Sequence, residues 1–243
     1  MVWIAANPFV MNLIRSCATT TLSVPITTSV TTSTTTTSST TTITTAITTT
    51  TTTTATTTTA TTTKSFLNYT SITRPNDNIV GIFNTTAGSF NGATIGSYPT
   101  CEPPTNAIDM NVGSKYLNHG TSGSSTTAGL NTGYYVSPRV GNSIATGIIF
   151  STANDSPNRD PTMITLEGSN DGFVQLQLGG SWTLIYSGPS GISSTVDPGR
   201  STKCTLIAFN NTIPYVSYRL LITSKRGADN SVQYSEAHIM GYV

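Results

Sequence analysis

Charged side chains are scarce in this sequence of 243 residues: Asp, Glu, Lys and Arg together make up 9% of the chain and leave a net charge of +1. Typical soluble proteins carry about 25% charged residues. Without a basic patch or a run of like charges, the chain lacks the electrostatic signature of a protein that binds nucleic acid or an anionic membrane surface. Solubility must therefore come from uncharged polar groups, and the hydroxyls of Thr and Ser, or sugars attached to them, are available.

Residue patterns that catalysis and most metal sites require are also missing. The chain has two histidines, His119 and His238, and neither belongs to a catalytic or zinc-binding motif. It contains no G-x-S-x-G nucleophile elbow, no CxxC pair and no Gly-rich loop of the kind that holds a phosphate. The acidic residues are few and lie mostly in turn sequences, which argues against the paired carboxylates of a glycosidase. We therefore predict that the protein is not an enzyme.

Cysteine is rare, with three residues in the chain. Cys101 and Cys204 both lie in the later part of the sequence, so a single disulfide can join them, and we predict this pairing. Two buried free thiols are the alternative, because the redox compartment decides between them and the sequence does not identify that compartment.

No apolar run reaches the roughly 20 residues that a membrane-spanning helix needs. The run over residues 2–14 is interrupted by Asn7 and Pro8, and the basic residue, Arg15, follows it. A secretory signal would have its basic residue before the apolar run. Residues 1–18 are therefore either a degenerate signal peptide or a retained apolar strand that packs against a partner such as another subunit, and we favour the retained strand.

Residues 19–63 form a low-complexity tract in which about two residues in three are Thr. Thr is β-branched and favours an extended backbone, so the tract could span on the order of 150 Å at about 3.3 Å per residue. Dense Thr is also the pattern of mucin-like O-glycosylation, and attached sugars would hold the backbone straighter. We predict an extended, O-glycosylated arm, with candidate acceptors Thr44, Thr45, Thr48, Thr49, Thr50, Thr56 and Thr57.

Residues 64–243 have a different pattern, with short alternating runs bounded by Gly, Pro, Asn and Asp and no sustained helical periodicity. Eight candidate strands suggest an all-β domain, a jelly-roll β-sandwich preceded by the extended Thr-rich N-terminal arm. The candidates are residues 79–83, 133–136, 146–152, 163–168, 182–187, 204–209, 215–223 and 232–242.

Four Asn-x-Ser/Thr sequons lie in polar, loop-like contexts and are candidate N-glycosylation sites in a secreted protein. They are Asn68, Asn84, Asn154 and Asn210. Together with the Thr-rich tract, they predict a secreted, extracellular glycoprotein.

Five segments of the β domain follow one another in a characteristic order. They are PTNAIDMNVGSKY (104–116), TGIIFSTANDSPNRDPTMITLEGSNDG (146–172), WTLIYSG (182–188), FNNTIPYVSYRLLIT (209–223) and YSEAHIMG (234–241). Together they resemble the galactose-binding-like superfamily, which includes discoidin or coagulation-factor C-type domains and many carbohydrate-binding modules. The similarity covers about residues 75–243, and the order of its motifs is more specific than any one of them. The resemblance implies an eight-stranded jelly roll, which agrees with the strand count.

Many members of this superfamily hold a structural Ca²⁺, and the resemblance implies ligands for one here. Asp109 matches the family's ligand Asp, Ser114 matches a Thr five positions on, and Glu236 matches the Glu of the last strand. Two carboxylates and loop carbonyls suit a hard cation that prefers about six to eight oxygens. The carbonyls would come from Ala107, Asn111 and Val112. The alternative is that Asp109 and Glu236 only cap turns or pair with Lys115.

Family members usually bind sugars through loops at one end of the sandwich, with an Arg or His reaching the hydroxyls and an aromatic ring against the sugar. Those loops vary so much that no position transfers, and the ligand is not assigned. Candidates by residue type are His119, Tyr134, Tyr135, Arg139 and Trp182. Trp182 starts a strand and is expected in the core, and one of the two tyrosines is expected to face inward.

Two functions of different classes fit the sequence. In the first, the protein is a subunit of a glycan-coated structural fibre, in which the Thr-rich arm contacts other copies of the chain. In the second, it is a lectin-like adhesion module on a mucin-like stalk. We favour the fibre subunit, because an extended Thr tract and an apolar N-terminal segment both need a partner surface.

Overall fold

Two antiparallel β-sheets, packed face to face, organise the later part of the chain in a computed structural model. The structure describes residues 70–90, 96–121 and 123–243. Eleven strands occur within these residues: β1 (Thr70–Ser71), β2 (Asn78–Ile82), β3 (Tyr116–Asn118), β4 (Thr132–Ser137), β5 (Ile144–Ser151), β6 (Pro161–Ser169), β7 (Thr183–Pro189), β8 (Ile207–Ala208), β9 (Ser217–Lys225), β10 (Val232–Tyr234) and β11 (Glu236–Tyr242).

The larger sheet has the strand order β2-β4-β9-β6-β7, and the sheet opposite it has the order β1-β11-β5-β8. A two-stranded sheet pairs β10 with β3. Short 3-10 helices connect the strands at Pro104–Ile108, Pro157–Arg159, Gln175–Gln177 and Gly179–Ser181. Of these, the Pro104–Ile108 helix contacts β11, β2 and β3, so the loop that follows it lies against the last strand.

The main core lies between the two sheets and follows from strand periodicity. In β9, Tyr218, Leu220 and Ile222 alternate along the strand, are fully buried and join the main hydrophobic cluster. Ile148 and Phe150 of β5 enter the same cluster from the opposite sheet. Successive side chains of a strand point to opposite faces, so alternating apolar residues form one wall of a sandwich core.

The outer face of the five-stranded sheet is covered as well. Leu221 belongs to a second buried cluster, in which it packs with Ile82, Tyr135, Leu176 and Trp182. The outer face of β9 is therefore not a solvent-facing surface, and Arg219 is fully buried there.

The predicted all-β sandwich is confirmed, and all eight predicted strand regions contain strand residues. The predicted strand at 204–209 shortens to β8, and the one at 232–242 divides into β10 and β11, which belong to different sheets. Two short strands, β1 and β3, were not predicted. The apolar segment, the Thr-rich arm with its O-glycosylation candidates and Asn68 lie outside the described residues.

The predicted disulfide between Cys101 and Cys204 is wrong. Cys204 is a free, half-buried thiol, whereas Cys101 is disulfide-bonded. Cys204 is instead held beside β5, where its backbone N–H donates to Phe150 O at 2.8 Å and its thiol lies 3.5 Å from Thr202 O. Burial raises the pKa of this thiol.

Within residues 70–90, 96–121 and 123–243, the structure has no helix with the length and apolarity needed to cross a bilayer.

Candidate functional site

Asp109 and Glu236, the two carboxylates predicted to bind a metal, are brought together by the fold. Asp109 follows the Pro104–Ile108 helix directly, and Glu236 opens β11. Contact between this helix and β11 explains the approach, and Asp109 is close enough to raise the pKa of Glu236. The two carboxylates, which lie more than a hundred residues apart in the sequence, are thus neighbours in the fold.

The Asp109 carboxylate is held by its own loop. Its Oδ1 accepts a hydrogen bond from the Asn111 backbone N–H at 2.8 Å, and its Oδ2 accepts one from Ser114 Oγ at 2.6 Å. Met110 has a φ of 64°, in the left-handed region, so the chain turns sharply just after Asp109. Ser114 therefore contacts Asp109 as the motif implies.

The Glu236 carboxylate is buried, and His238 is the one basic group that the structure places within ion-pair distance of it within the described residues. The residue is 3% exposed, and neither Oε1 nor Oε2 makes a hydrogen bond of good geometry within the described residues. His238 Nε2 lies 2.8 Å from Oε2, close enough to form an ion pair when the imidazole is protonated. Burial raises the pKa of Glu236; His238 lowers it, and Asp109 raises it. An unpaired buried carboxylate is costly, and a cation is one way to compensate it.

The residues fit Ca²⁺ in part. The buried carboxylate of Glu236 beside Asp109 suits a hard cation. The carbonyls of Asn111 and Val112 already accept hydrogen bonds from Ser114 and Ser235, so they would have to bind through their second lone pair. Within the described part of the chain, no group of three or more His, Cys, Asp or Glu side chains forms a metal site. Backbone and hydroxyl oxygens would have to complete the shell.

The alternative pairing of these carboxylates with Lys115 is not observed. Lys115 Nζ lies 2.6 Å from Asp155 Oδ1 and 3.5 Å from Glu102 Oε1. Gln233 Nε2 also donates to Asp155 Oδ1, at 2.7 Å. Lys115 is thus neutralised by Asp155 and Glu102, and within residues 70–90, 96–121 and 123–243 the ion pairs give Asp109 and Glu236 no basic side-chain partner other than His238.

A pocket of about 370 Å³ opens beside the carboxylate pair, and Ser71, Glu236 and His238 contribute to its lining. Ser71 Oγ lies 3.2 Å from His238 Nδ1, so hydroxyl, imidazole and carboxylate occur in the order of a hydrolase triad. However, the Ser71 hydroxyl donates to Thr73 O at 2.6 Å. The imidazole is therefore not positioned to take this proton, and we assign no nucleophile here.

The aromatic candidates for sugar contact lie in the interior. Tyr134 faces the main core between the sheets, as expected for one of the two tyrosines. Tyr135 is also buried, in the second cluster on the outer face of the five-stranded sheet. Trp182 is 6% exposed and donates from Nε1 to Leu176 O at 3.0 Å, which confirms its place in the core. Arg139 is exposed, and its backbone N–H donates to Asp77 Oδ1 at 2.9 Å.

His119 lines a different pocket, together with two residues that the sequence did not indicate. Phe83 follows β2, His119 follows β3 and Asn131 precedes β4, so all three lie at the same end of the sandwich. They form part of a cleft of about 250 Å³, called the loop pocket below. Thr121, Ser125 and Thr127 add hydroxyl groups to its lining.

Polar atoms in the loop pocket are available to a ligand. His119 Nδ1 lies 2.9 Å from the carbonyl of Asn230, and a carbonyl can only accept, so Nδ1 carries the hydrogen and Nε2 of the neutral ring is an acceptor. Neither Nε2 nor the Asn131 side-chain amide makes a hydrogen bond within the described residues. Among those residues, no Asp, Glu, Lys or Arg lines the pocket.

The loop pocket is held in shape by the backbone. The Asn131 N–H donates to Ile222 O at 2.8 Å, and the Gly129 N–H donates to His119 O at 3.1 Å. Gly120 has a φ of +76°, and a Cβ there would lie 2.6 Å from the Phe83 ring. Glycine is therefore required for Phe83 to pack against this loop.

Three predicted N-glycosylation sites are accessible. Asn84, Asn154 and Asn210 are all exposed and lie outside the strands. A glycan therefore has room at each, although attachment stays a prediction.

Neither the scan against protein-family models nor the search of curated proteins returned a match. Solved structures with a similar arrangement include a family 32 carbohydrate-binding module of NanJ from Clostridium perfringens in complex with galactose (13% identity, 71% of this chain, 98% of that chain, TM-score 0.47). Another is a module from a family 31 glycoside hydrolase of the same bacterium (16% identity, 67% of this chain, 90% of that chain, TM-score 0.48). A third is a fucolectin from striped bass, Morone saxatilis (15% identity, 72% of this chain, 50% of that chain, TM-score 0.46). These TM-scores lie below 0.5, so the assignments for this chain depend on its own strand order and contacts.

Proposed function

We propose that the β-sandwich is a non-catalytic carbohydrate-binding module and that a neutral sugar occupies the loop pocket. The observation that carries this proposal is the combination in one cleft of Phe83, His119 Nε2 and the Asn131 amide, the last two without a hydrogen bond to any described residue. Imidazole and amide groups can bond to neighbouring sugar hydroxyls, and an aromatic ring offers an apolar surface to the ring C–H groups.

A neutral ligand is favoured by the absence of charged side chains around the loop pocket within the described residues. The sequence motifs resemble galactose-binding-like domains, so galactose is the first sugar to test. Backbone hydrogen bonds already hold the loop, and binding therefore needs little ordering of the protein.

The test is isothermal titration calorimetry of the full chain with galactose, supported by a glycan array. Binding should weaken by about ten-fold or more in His119→Ala and in Asn131→Ala, since each loses a hydrogen bond that is buried in the complex. Arg139→Ala is a matched control, because Arg139 is exposed and does not line the pocket. No binding to any sugar on the array, or equal affinity in all variants, would reject the proposal.

We also propose a structural Ca²⁺ held by Asp109 and Glu236, with Ser114 and the backbone oxygens of Ala107, Asn111 and Val112 completing the shell. Two buried or loop-held carboxylates, Glu236 and Asp109, with only His238 as a basic group at ion-pair distance within the described residues, support this assignment. The ion would neutralise the two carboxylates and fix the 109–115 loop against β11.

Secretion, glycosylation and assembly into a fibre remain hypotheses from the sequence. Exposure of Asn84, Asn154 and Asn210 is compatible with a secreted glycoprotein, and the intact mass of protein from its native source would test it. The fibre-subunit hypothesis depends on residues 1–63, outside the described residues. Electron microscopy of the full chain tests it: regular filaments would support the subunit role, and monodisperse monomers would reject it.

A further inference from the structure

Another pocket lies on the other side of β9 from the loop pocket. It has a volume of about 380 Å³ and is lined by Thr162, Met163, Pro189, Ile192, Ser193, Ser194 and Ser224; it is called the serine pocket below. Like the loop pocket, it offers hydroxyl groups around a small apolar surface, and no charged side chain lines it within the described residues. Its chemistry therefore suits the same class of ligand.

The strand register places both pockets at one end of the sandwich. Ile222 of β9 pairs with Thr132 of β4 on one side and with Ile164 of β6 on the other. Asn131 of the loop pocket is hydrogen-bonded to Ile222 O, and Ser224 of the serine pocket pairs with Met163. The two pockets thus flank the C-terminal end of β9.

The spacing of the strands that carry the two pockets leaves room for a chain of sugars. β4 and β6 are separated by two strand spacings, or about 10 Å, which is more than one pyranose ring spans. Between the pockets, Thr223 interrupts the regular register of β9 with β6, and its side chain is exposed. A ligand that extends from the loop pocket across Thr223 would run towards the serine pocket past Lys225, whose Nζ donates to Ala128 O and Ser231 O.

The serine pocket is shaped before any ligand arrives. Ser190 Oγ donates to Pro161 O at 2.7 Å and accepts a hydrogen bond from the Ile192 N–H at 3.1 Å. The Ser190 N–H donates to Thr162 O at 3.0 Å. Met163 is 40% exposed, which leaves its thioether available to the apolar face of a sugar.

From this geometry we infer that the serine pocket is a second subsite and that the ligand is an extended oligosaccharide of neutral sugars. The inference rests on the proposed function, since the loop pocket holds the first sugar. Two linked subsites increase affinity because the second sugar binds at a high effective concentration once the first is bound.

The experiment compares galactose, β-1,4-galactobiose and β-1,4-galactotetraose by isothermal titration calorimetry of the full chain. We expect galactotetraose to bind about ten-fold more tightly than galactose or better. Ser194 is exposed, and the larger side chain of Ser194→Phe should fill the serine pocket. This variant should lose the gain in affinity for galactotetraose, whereas its affinity for galactose should stay the same. Met163→Ala tests the same pocket without filling it and should reduce the gain. Thr183→Phe, at the exposed start of β7, is the control and should preserve it.

The outcomes separate the two proposals. Equal affinity for galactose and galactotetraose, or a gain that survives in Ser194→Phe and Met163→Ala, would overturn the second subsite but leave the sugar site in the loop pocket. Absence of binding to all three sugars, or galactose binding that is insensitive to Asn131→Ala, would overturn both. Thermal unfolding midpoints equal to that of the parent chain would show that the variants are folded.

Discussion

Arg219 and Glu167 form a fully buried ion pair on the outer face of the five-stranded sheet, with Arg219 Nε 2.5 Å from Glu167 Oε2. Glu167 Oε1 accepts a hydrogen bond from the Gly88 N–H at 2.6 Å, and Arg219 Nη1 donates to Ser89 O at 2.8 Å. The guanidinium also lies 5.0 Å from the centre of the Trp182 ring. The pair therefore fastens the segment after Phe83 to the sheet.

Arg219→Met should strongly destabilise the protein. The variant leaves Glu167 buried without a compensating charge, a change that costs about 3–5 kcal/mol. Urea unfolding at pH 7 would measure the loss. The double variant Arg219→Met/Glu167→Met should recover part of it, because no charge is left unpaired. A loss below about 1 kcal/mol in Arg219→Met would contradict the assigned role.

Calcium should stabilise the chain through Asp109 and Glu236. At a hundred-fold excess over its Kd, a ligand that binds only the folded state adds about 2.7 kcal/mol, which corresponds to a rise in Tm of several degrees. Differential scanning fluorimetry with calcium and with EDTA measures this shift. Glu236→Gln should abolish it, whereas Asp171→Asn, an exposed change elsewhere, should retain it. Equal Tm values for the parent chain under both conditions would argue against the metal site.

Asp155 should make stability depend on pH in the acid range. Burial raises the pKa of Asp155, but hydrogen bonds from Lys115 and Gln233 outweigh this effect and hold the pKa below its ordinary value. The carboxylate therefore contributes stability above the unfolded-state pKa of about 3.9. This contribution is lost as the pH falls through the lower, folded-state pKa.

Asp155→Asn should accordingly cost at most about 1 kcal/mol at pH 7, because the side chain is partly exposed and solvent screens the pair. The difference in unfolding free energy between Asp155→Asn and the parent chain should shrink towards zero as the pH falls below the folded-state pKa of Asp155. Urea unfolding across an acid pH series would show this convergence. A constant difference at every pH would mean that the charge of Asp155 is not responsible.

The sequence predicted the strands that carry regular alternation, and β9 is the clearest case, since Tyr218, Leu220 and Ile222 all enter the core. It did not predict β1 and β3, which have two and three residues and are too short for a period-two pattern. It also merged β10 with β11, although the core residues shift from even positions (Val232, Tyr234) to odd positions (Ala237, Ile239) across Ser235, where the chain changes sheets.

The candidate sites divide in the same way. Asp109 and Glu236 lie in recognisable motifs, and the structure brings them together. The loop pocket could be anticipated only through His119, since Phe83 and Asn131 lie in loops whose approach depends on strand pairing far away in the sequence. Residue type alone made Tyr135 and Trp182 candidates for sugar contact, but both are buried in the cluster on the outer face of the sheet, as expected for Trp182 from its place at the start of a strand.

Gly133 lies where the backbones of β4 and β9 approach closely, and the pairing of these two strands positions the loop pocket. A Cβ at this position would lie 1.9 Å from Leu220 O on the neighbouring strand and 3.2 Å from Leu221 Cα. Because both atoms belong to the backbone, β4 and β9 would have to separate, and Gly133→Ala should cost about 1–3 kcal/mol or more.

Gly180→Ala is the matched control, since a Cβ there meets nothing within 4 Å, and its effect should stay within about 0.5 kcal/mol. Urea unfolding of both variants measures the difference, and similar stabilities would mean that β4 does not pair closely with β9. The Asn131 hydrogen bond to Ile222 O depends on this pairing, so galactose binding should weaken in Gly133→Ala but not in Gly180→Ala.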